Sequence, residues 1–152
     1  MKILVLSAIL FITQASFAQD AAIRNKHFNV AGGAAISGYD PVSYFTENKA
    51  VKGNKEITFT YEGIVYHFST AANRDEFKKN PAKYEPQYGG WCAFAMGKNG
   101  EKVEVDPGTF KIIDGRLFLF YNQFFNNTLK SWNKDEVNLH RSADRNCQKL
   151  FH

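Results

Sequence analysis

The stretch Ile57-Thr58-Phe59-Thr60-Tyr61-Glu62-Gly63-Ile64-Val65-Tyr66-His67-Phe68 decides the fold. Apolar residues alternate with threonine over Ile57 to Tyr61, the period-two signature of a strand with one buried face. Glu62-Gly63 supplies a tight connection, and Ile64 to Phe68 returns as a second strand. A hairpin of this length must bury its apolar face against something. The residues that follow offer a cover. Ser69 or Thr70 caps a helix running to Lys79 with Phe77 on its inner face, and Asn80-Pro81 starts a short turn reaching Tyr84.

A second hairpin is written downstream. Thr109 to Ile113, Asp114-Gly115 and Arg116 to Tyr121 combine two strand-like runs with a dipeptide suited to a type I′ turn. Leu117-Phe118-Leu119-Phe120 is apolar on both faces, so this strand should be covered on both sides. Lys102 to Val105 alternates weakly and reads as a further strand, with Asp106-Pro107-Gly108 as a turn. Between the hairpins, Trp91 to Met96 reads as a short apolar helix stopped by Gly97. The end of the chain is helical. Phe124, Phe125, Thr128, Leu129 and Trp132 fit one helical face. Asn133 suits the cap of a last helix whose inner stripe is Val137, His140, Ala143, Cys147 and Leu150 or Phe151. The expected architecture is α+β: two β-hairpins with short helices between them and two C-terminal helices.

The N-terminus carries a leader. Lys2 opens it, Ile3 to Ile12 are almost all apolar, and Ser16-Phe17-Ala18 fits the small-x-small cleavage rule, so cleavage is expected after Ala18. The apolar run is too short to span a bilayer, and no transmembrane anchor is expected. This places the protein outside the cytoplasm, periplasmic or secreted. Residues 1–18 are then the signal peptide, 19–37 a lead-in that begins loosely over Gln19 to Lys26, and 38–152 a single domain. The formal net charge is +4. The basic residues are scattered singly among acids, with Lys78-Lys79 the one doublet, so the stripe or patch that nucleic-acid binding requires is missing. No protein partner can be named from the sequence.

The chemistry-bearing residues are few. Cys92 and Met96 stand four apart, one above the other on a helix. His67 lies in a strand and points away from Tyr66 and Phe68. Cys92, Met96 and His67 are the soft-ligand candidates, suited to copper first or to another transition metal. Core packing is the alternative for both sulfurs, and a hydrogen-bonded structural role for the histidine. Cys92 at a helix start could also be an activated thiol, with His67 or His140 as base. No Gly-x-Ser-x-Gly elbow, phosphate-binding glycine loop or paired Cys-x-x-Cys spacing is present. No catalytic residue is assigned. Export permits a Cys92–Cys147 disulfide, and two free thiols are the alternative.

Several ordered motifs resemble a known family. Gly38-Tyr39-Asp40-Pro41-Val42-Ser43-Tyr44-Phe45, Tyr61 to Ser69, Asn73, Phe77, Pro81, Tyr84 and Pro86-Gln87-Tyr88-Gly89-Gly90-Trp91-Cys92-Ala93 are similar to the exported YHS-domain proteins of bacteria. The motif residues are Tyr39, Asp40, Pro41, Tyr88, Gly89 and Gly90. The resemblance implies a treble-clef-like YHS core with a C-terminal helical extension. It also implies kinship with TRASH-like domains that bind heavy-metal ions through cysteines. Matched onto this chain, the cysteine positions of those relatives are Ser43, Ser69 and Asn73, none of them a thiol. Three readings stay open: a non-catalytic binding module, with copper the first metal; a thiol enzyme or redox protein using Cys92; and a structural or interaction domain with an aromatic patch around Tyr39, Tyr44 and Tyr88.

Overall fold

A computed structural model describes residues 19–151 of the chain, and the expected leader over 1–18 lies outside them. The architecture is α+β, with its strands in three two-stranded antiparallel sheets. Helix α1 (19–27) leads into two short turns, Ala31–Gly33 and Ala35–Gly38, and helix α2 (Ser43–Thr46). Strands β1 (Asn54–Tyr61) and β2 (Ile64–Phe68) form the first hairpin, followed by α3 (Ala71–Lys79), α4 (Pro81–Tyr84), a turn over Gln87–Gly90 and α5 (Ala93–Asn99). The second hairpin is β3 (Asp106–Ile113) with β4 (Arg116–Phe120), and a small third one is β5 (Asn122–Gln123) with β6 (Asn126–Asn127). Helices α6 (Thr128–Trp132) and α7 (Glu136–Phe151) complete the fold. Among the described residues no helix is long and apolar enough to cross a membrane.

Local chemistry explains both main hairpins. Glu62 and Gly63 have φ of 45° and 83°, and Asp114 and Gly115 have 50° and 71°. Two successive left-handed residues make a turn whose twist matches the strands it joins. Tyr61 pairs with Ile64 and Ile113 with Arg116. Each hairpin has an irregular register near its open end, between Asn54 and Thr58 in one and Asp106 and Phe110 in the other. Ile64, Tyr66 and Phe68 face one core together with Phe77 and Tyr84. Thr70 caps α3 by accepting from the Asn73 N–H at 3.1 Å, and Pro81 opens α4. The second core joins Met96, Phe118, Phe120, Trp132 and Ala143. Tyr44 Oη donates to the Pro107 carbonyl at 2.8 Å and ties α2 to the second hairpin.

Several local expectations are corrected. Residues 19–27 are helical rather than loose. Arg24 anchors this helix by an ion pair with the half-buried Glu85 and by stacking on Phe28. Burial pushes the Glu85 carboxyl up, opposed by hydrogen bonds from Tyr66 and Arg24. Residues 101–105 form no strand, and the Val103 carbonyl instead accepts the Cys92 N–H at 2.9 Å. Asn133 follows α6 as its C-terminal residue and does not cap α7. Val137 is exposed, and Leu139 takes its place on the inner stripe of α7. Phe124 and Phe125 are not helical: they form the two-residue tip of the third hairpin, at φ of 50° and 62°, fully exposed.

Gly97 does not stop α5. The helix runs on to Asn99 and ends at Gly100, whose φ of 76° allows its N–H to reach back to the Ala95 and Met96 carbonyls. Gly97 serves instead as the crossing point with α7. A Cβ there would lie 2.5 Å from the Leu139 carbonyl oxygen. Alanine in a helix contributes roughly 1 kcal/mol over glycine. At Gly97 the backbone clash outweighs that gain, and Gly97→Ala is expected to cost about 2 kcal/mol net. A urea midpoint equal to or above that of the unaltered protein would show that α7 can move aside freely.

Candidate functional site

The most heavily wired polar group is Asp40, whose side chain is fully buried. The chain reaches it from the left-handed turn at Gly38, and its N–H donates to the Val51 carbonyl at 2.8 Å. Asp40 Oδ1 accepts from the Val42 N–H at 2.9 Å, the turn that Asp-Pro chemistry favours. Oδ2 accepts from the Ser69 N–H at 2.8 Å, the Ser69 hydroxyl at 2.6 Å and Asn73 Nδ2 at 2.7 Å. Ser43 Oγ sits against the Asp40 carbonyl at 2.8 Å and the Lys49 carbonyl at 2.9 Å, with one proton for the two. Ser43, Ser69 and Asn73 therefore converge on one residue: Ser43 of α2 on the Asp40 carbonyl, and Ser69, just after β2, and Asn73, in the first turn of α3, on its carboxylate. A buried carboxylate is stabilised by such direct hydrogen bonds. Among the described residues no buried side-chain nitrogen or oxygen lacks a partner. This donor set does not fit a soft metal ion. Its atoms are hydroxyl, amide and carboxylate groups, and their hydrogens are already directed at Asp40.

The three soft-ligand candidates lie apart. Cys92 immediately precedes α5 and is fully buried. Its sulfur accepts from the Tyr121 N–H at 3.4 Å and lies 3.4 Å from Thr128 Oγ1. It forms part of the floor of an open cleft of about 280 Å³, flanked by Phe94, Lys98, Tyr121 and Asn126. Met96, one turn on, packs into the second core and does not line that cleft. His67, on the outer face of β2, lines a different cleft with Gly38, Lys52, Gly53 and Lys55. Its imidazole is pushed down, first by burial and then by Lys55 and Lys52. Among the described residues no group of three or more His, Cys, Asp or Glu side chains is placed to hold a metal ion.

The other thiol is also quiet. Cys92 and Cys147 are both free. Burial pushes the Cys147 thiol up to about 11, with Asp144 adding to the effect. It lines a third cleft with Tyr88, Asp144 and Phe151. Tyr88 Oη donates to Asp144 Oδ1 at 2.9 Å. Tyr88 and Gly89 are left-handed, and a Cβ on Gly89 would come 3.2 Å from the Phe151 ring. The Gln87–Gly90 turn thus serves to seat α7 and to receive Asn29, whose N–H donates to the Gly89 carbonyl at 2.8 Å.

The aromatic patch expected around Tyr39, Tyr44 and Tyr88 does not form. Tyr44 and Tyr88 are buried, and Tyr39 is half-buried beneath the Lys52 ammonium, 4.6 Å from the ring centre. The exposed aromatic pair is Phe124–Phe125. Lys52 and Lys55 were not singled out from the sequence either. Each is an isolated lysine in a polar stretch there, and nothing in the local pattern marks a shared cleft.

The family model of the YHS domain matches residues 42–88, a span that contains Ser43, Ser69 and Asn73. No curated protein and no solved structure matches the chain significantly. The matched span supplies Ser43, Ser69 and Asn73 around Asp40, and residues 42–88 of the chain carry a YHS domain.

Proposed function

We propose that this protein is an exported, non-catalytic binding module. The observation that carries the reading is the state of its thiols. Cys92 is buried, with Tyr121 N–H and Thr128 Oγ1 as its neighbours and no base among its hydrogen-bond partners. Cys147 is held protonated by burial. Nucleophilic thiols need a base or a cation that favours thiolate, and neither is among the hydrogen-bond partners of Cys92. Export is supported by the leader pattern over residues 1–18. A binding role is supported by the Cys92 cleft, which is open at the surface and partly apolar.

Copper(I) is the first ligand to test in that cleft, because a thiol is the softest donor the chain offers. The reading rests on Cys92, since Met96 is sealed in the core and His67 faces another cleft. Purified protein, dialysed against copper(I) under reducing conditions, is expected to take up one equivalent, and Cys92→Ser is expected to take up none. Equal uptake by both proteins would remove copper from the proposal. Rapid alkylation of Cys92 in the native state would overturn the non-catalytic reading itself.

A further inference from the structure

We propose that the cleft formed by Ser37, Gly38, Lys52, Gly53, Lys55 and His67 binds a small oxyanion of the phosphate class. Its volume is about 210 Å³. Lys52, Lys55 and His67 all line it, and no acidic side chain does. The ion pairs among the described residues use Arg24, Arg74, Lys78, Lys79, Lys111 and His140, and neither Lys52 nor Lys55 enters one. Concave placement of like charges without counter-ions raises the local potential and favours an anion. The same charges repel a metal cation from His67.

The backbone is shaped for close approach. Gly53 N–H donates to the Gly38 carbonyl at 2.9 Å, and Tyr39 bridges to Lys52, so the two segments run side by side. A Cβ on Gly38 would lie 2.9 Å from His67 Nδ1, and one on Gly53 would lie 2.7 Å from the His67 backbone. A side chain at either position would collide with His67, so the two glycines let their segments pack against β2 with the imidazole held between them at the cleft. Lys52 is already oriented: its ammonium donates to the Ser37 carbonyl at 2.5 Å and rests on the Tyr39 ring. Two of its three protons remain for a ligand.

Strain points to the same place. Ile36 and Ser37 have φ of 53° and 51°. A β-branched residue in the left-handed region is a true outlier, and such strain is found where a function keeps it. Ile36 is buried, which holds the turn in place and fixes the Ser37 carbonyl and Gly38 against the cations. A phosphate oxyanion presents several acceptor oxygens to these converging donors. The volume leaves room for a small substituent, so free phosphate and a phosphomonoester share the required chemistry.

The test is calorimetric titration of the mature protein with inorganic phosphate and, separately, glycerol 3-phosphate, each at constant ionic strength. Backbone amide shifts of Gly38 and Gly53 are followed in parallel. Saturable binding is expected, with both glycine amides moving. Lys55→Gln and Lys52→Gln are each expected to weaken it about tenfold. Tighter binding of the ester would identify the phosphomonoester as the ligand, and equal or weaker binding would identify free phosphate. Lys55 is exposed on β1, so its variant keeps the fold testable if the Lys52 variant does not. No saturable binding of either compound, or binding unaltered in Lys55→Gln, would overturn the proposal. This cleft is separate from the one over Cys92, so the outcome does not depend on the copper experiment.

Discussion

Asp40→Ala is expected to destabilise the domain by about 3–5 kcal/mol, while a chelator leaves the unfolding transition of the unaltered, copper-free protein unmoved. The carboxylate receives four hydrogen bonds within a fully buried site. Removing it strands the Ser69 N–H and hydroxyl, the Asn73 amide and the Val42 N–H. Each stranded donor costs its own desolvation, and the deleted side chain leaves space that those donors cannot fill. Asp40→Asn keeps one acceptor oxygen and is expected to lose less. The chelator arm separates two ways of closing this fold. The resemblance to TRASH-like domains implies relatives that hold a metal through thiols at the positions of Ser43, Ser69 and Asn73. In this chain the same three positions are joined through Asp40: Ser69 and Asn73 by its carboxylate, and Ser43 by its backbone carbonyl. Urea midpoints with and without chelator decide the matter. A chelator-induced drop, or an Asp40→Ala loss under about 1 kcal/mol, would show that the carboxylate is not what closes the domain.

Phe77→Ala is expected to cost a similar amount, about 3–5 kcal/mol. Phe77 lies at the centre of the first core, with ring centres at 4.7 Å from Tyr66, 5.2 Å from Phe68, 6.2 Å from Phe59 and 6.3 Å from both Tyr61 and Tyr84. These partners come from β1, β2 and α4, so a single side chain holds α3 to the first hairpin. Truncation leaves a cavity walled by rings, which relax poorly because each is fixed by its own neighbours. A fall in melting temperature of roughly 10 °C or more is expected for a domain of this size. A fall of only one or two degrees would mean that α3 is held mainly by its cap and by the Asp40–Asn73 bond.

The two main hairpins and the helix over residues 71–79 were readable from the sequence because their signals are local. Glu62-Gly63 and Asp114-Gly115 suit the left-handed turns they form, and Thr70 caps the helix that follows it. The errors arose where a residue's meaning lies in a distant partner. Gly97 resembles a helix stop, but it is small because Leu139 of α7 passes against it. Phe124 and Phe125 share the helical spacing of Thr128 and Trp132. The Asn122–Asn127 and Gln123–Asn126 pairings put them on an exposed hairpin tip instead. Lys52 and Lys55 were single charges in a mixed sequence. They line one cleft with His67 because the first hairpin returns beside the Gly38 turn.

By itself the sequence determined the α+β class, the hairpin turns, the presence of a YHS domain and the absence of thiols at Ser43, Ser69 and Asn73. Those follow from residue types and spacings that act within a few positions along the chain. Only the tertiary structure decided that these three residues meet on Asp40, that Cys92 and His67 occupy different clefts, and that two isolated lysines flank one imidazole. Such meetings are set by how packed elements cross and where the chain returns. That depends on the burial of side chains tens of residues apart, such as Phe77, Trp132 and Tyr44, rather than on any local pattern.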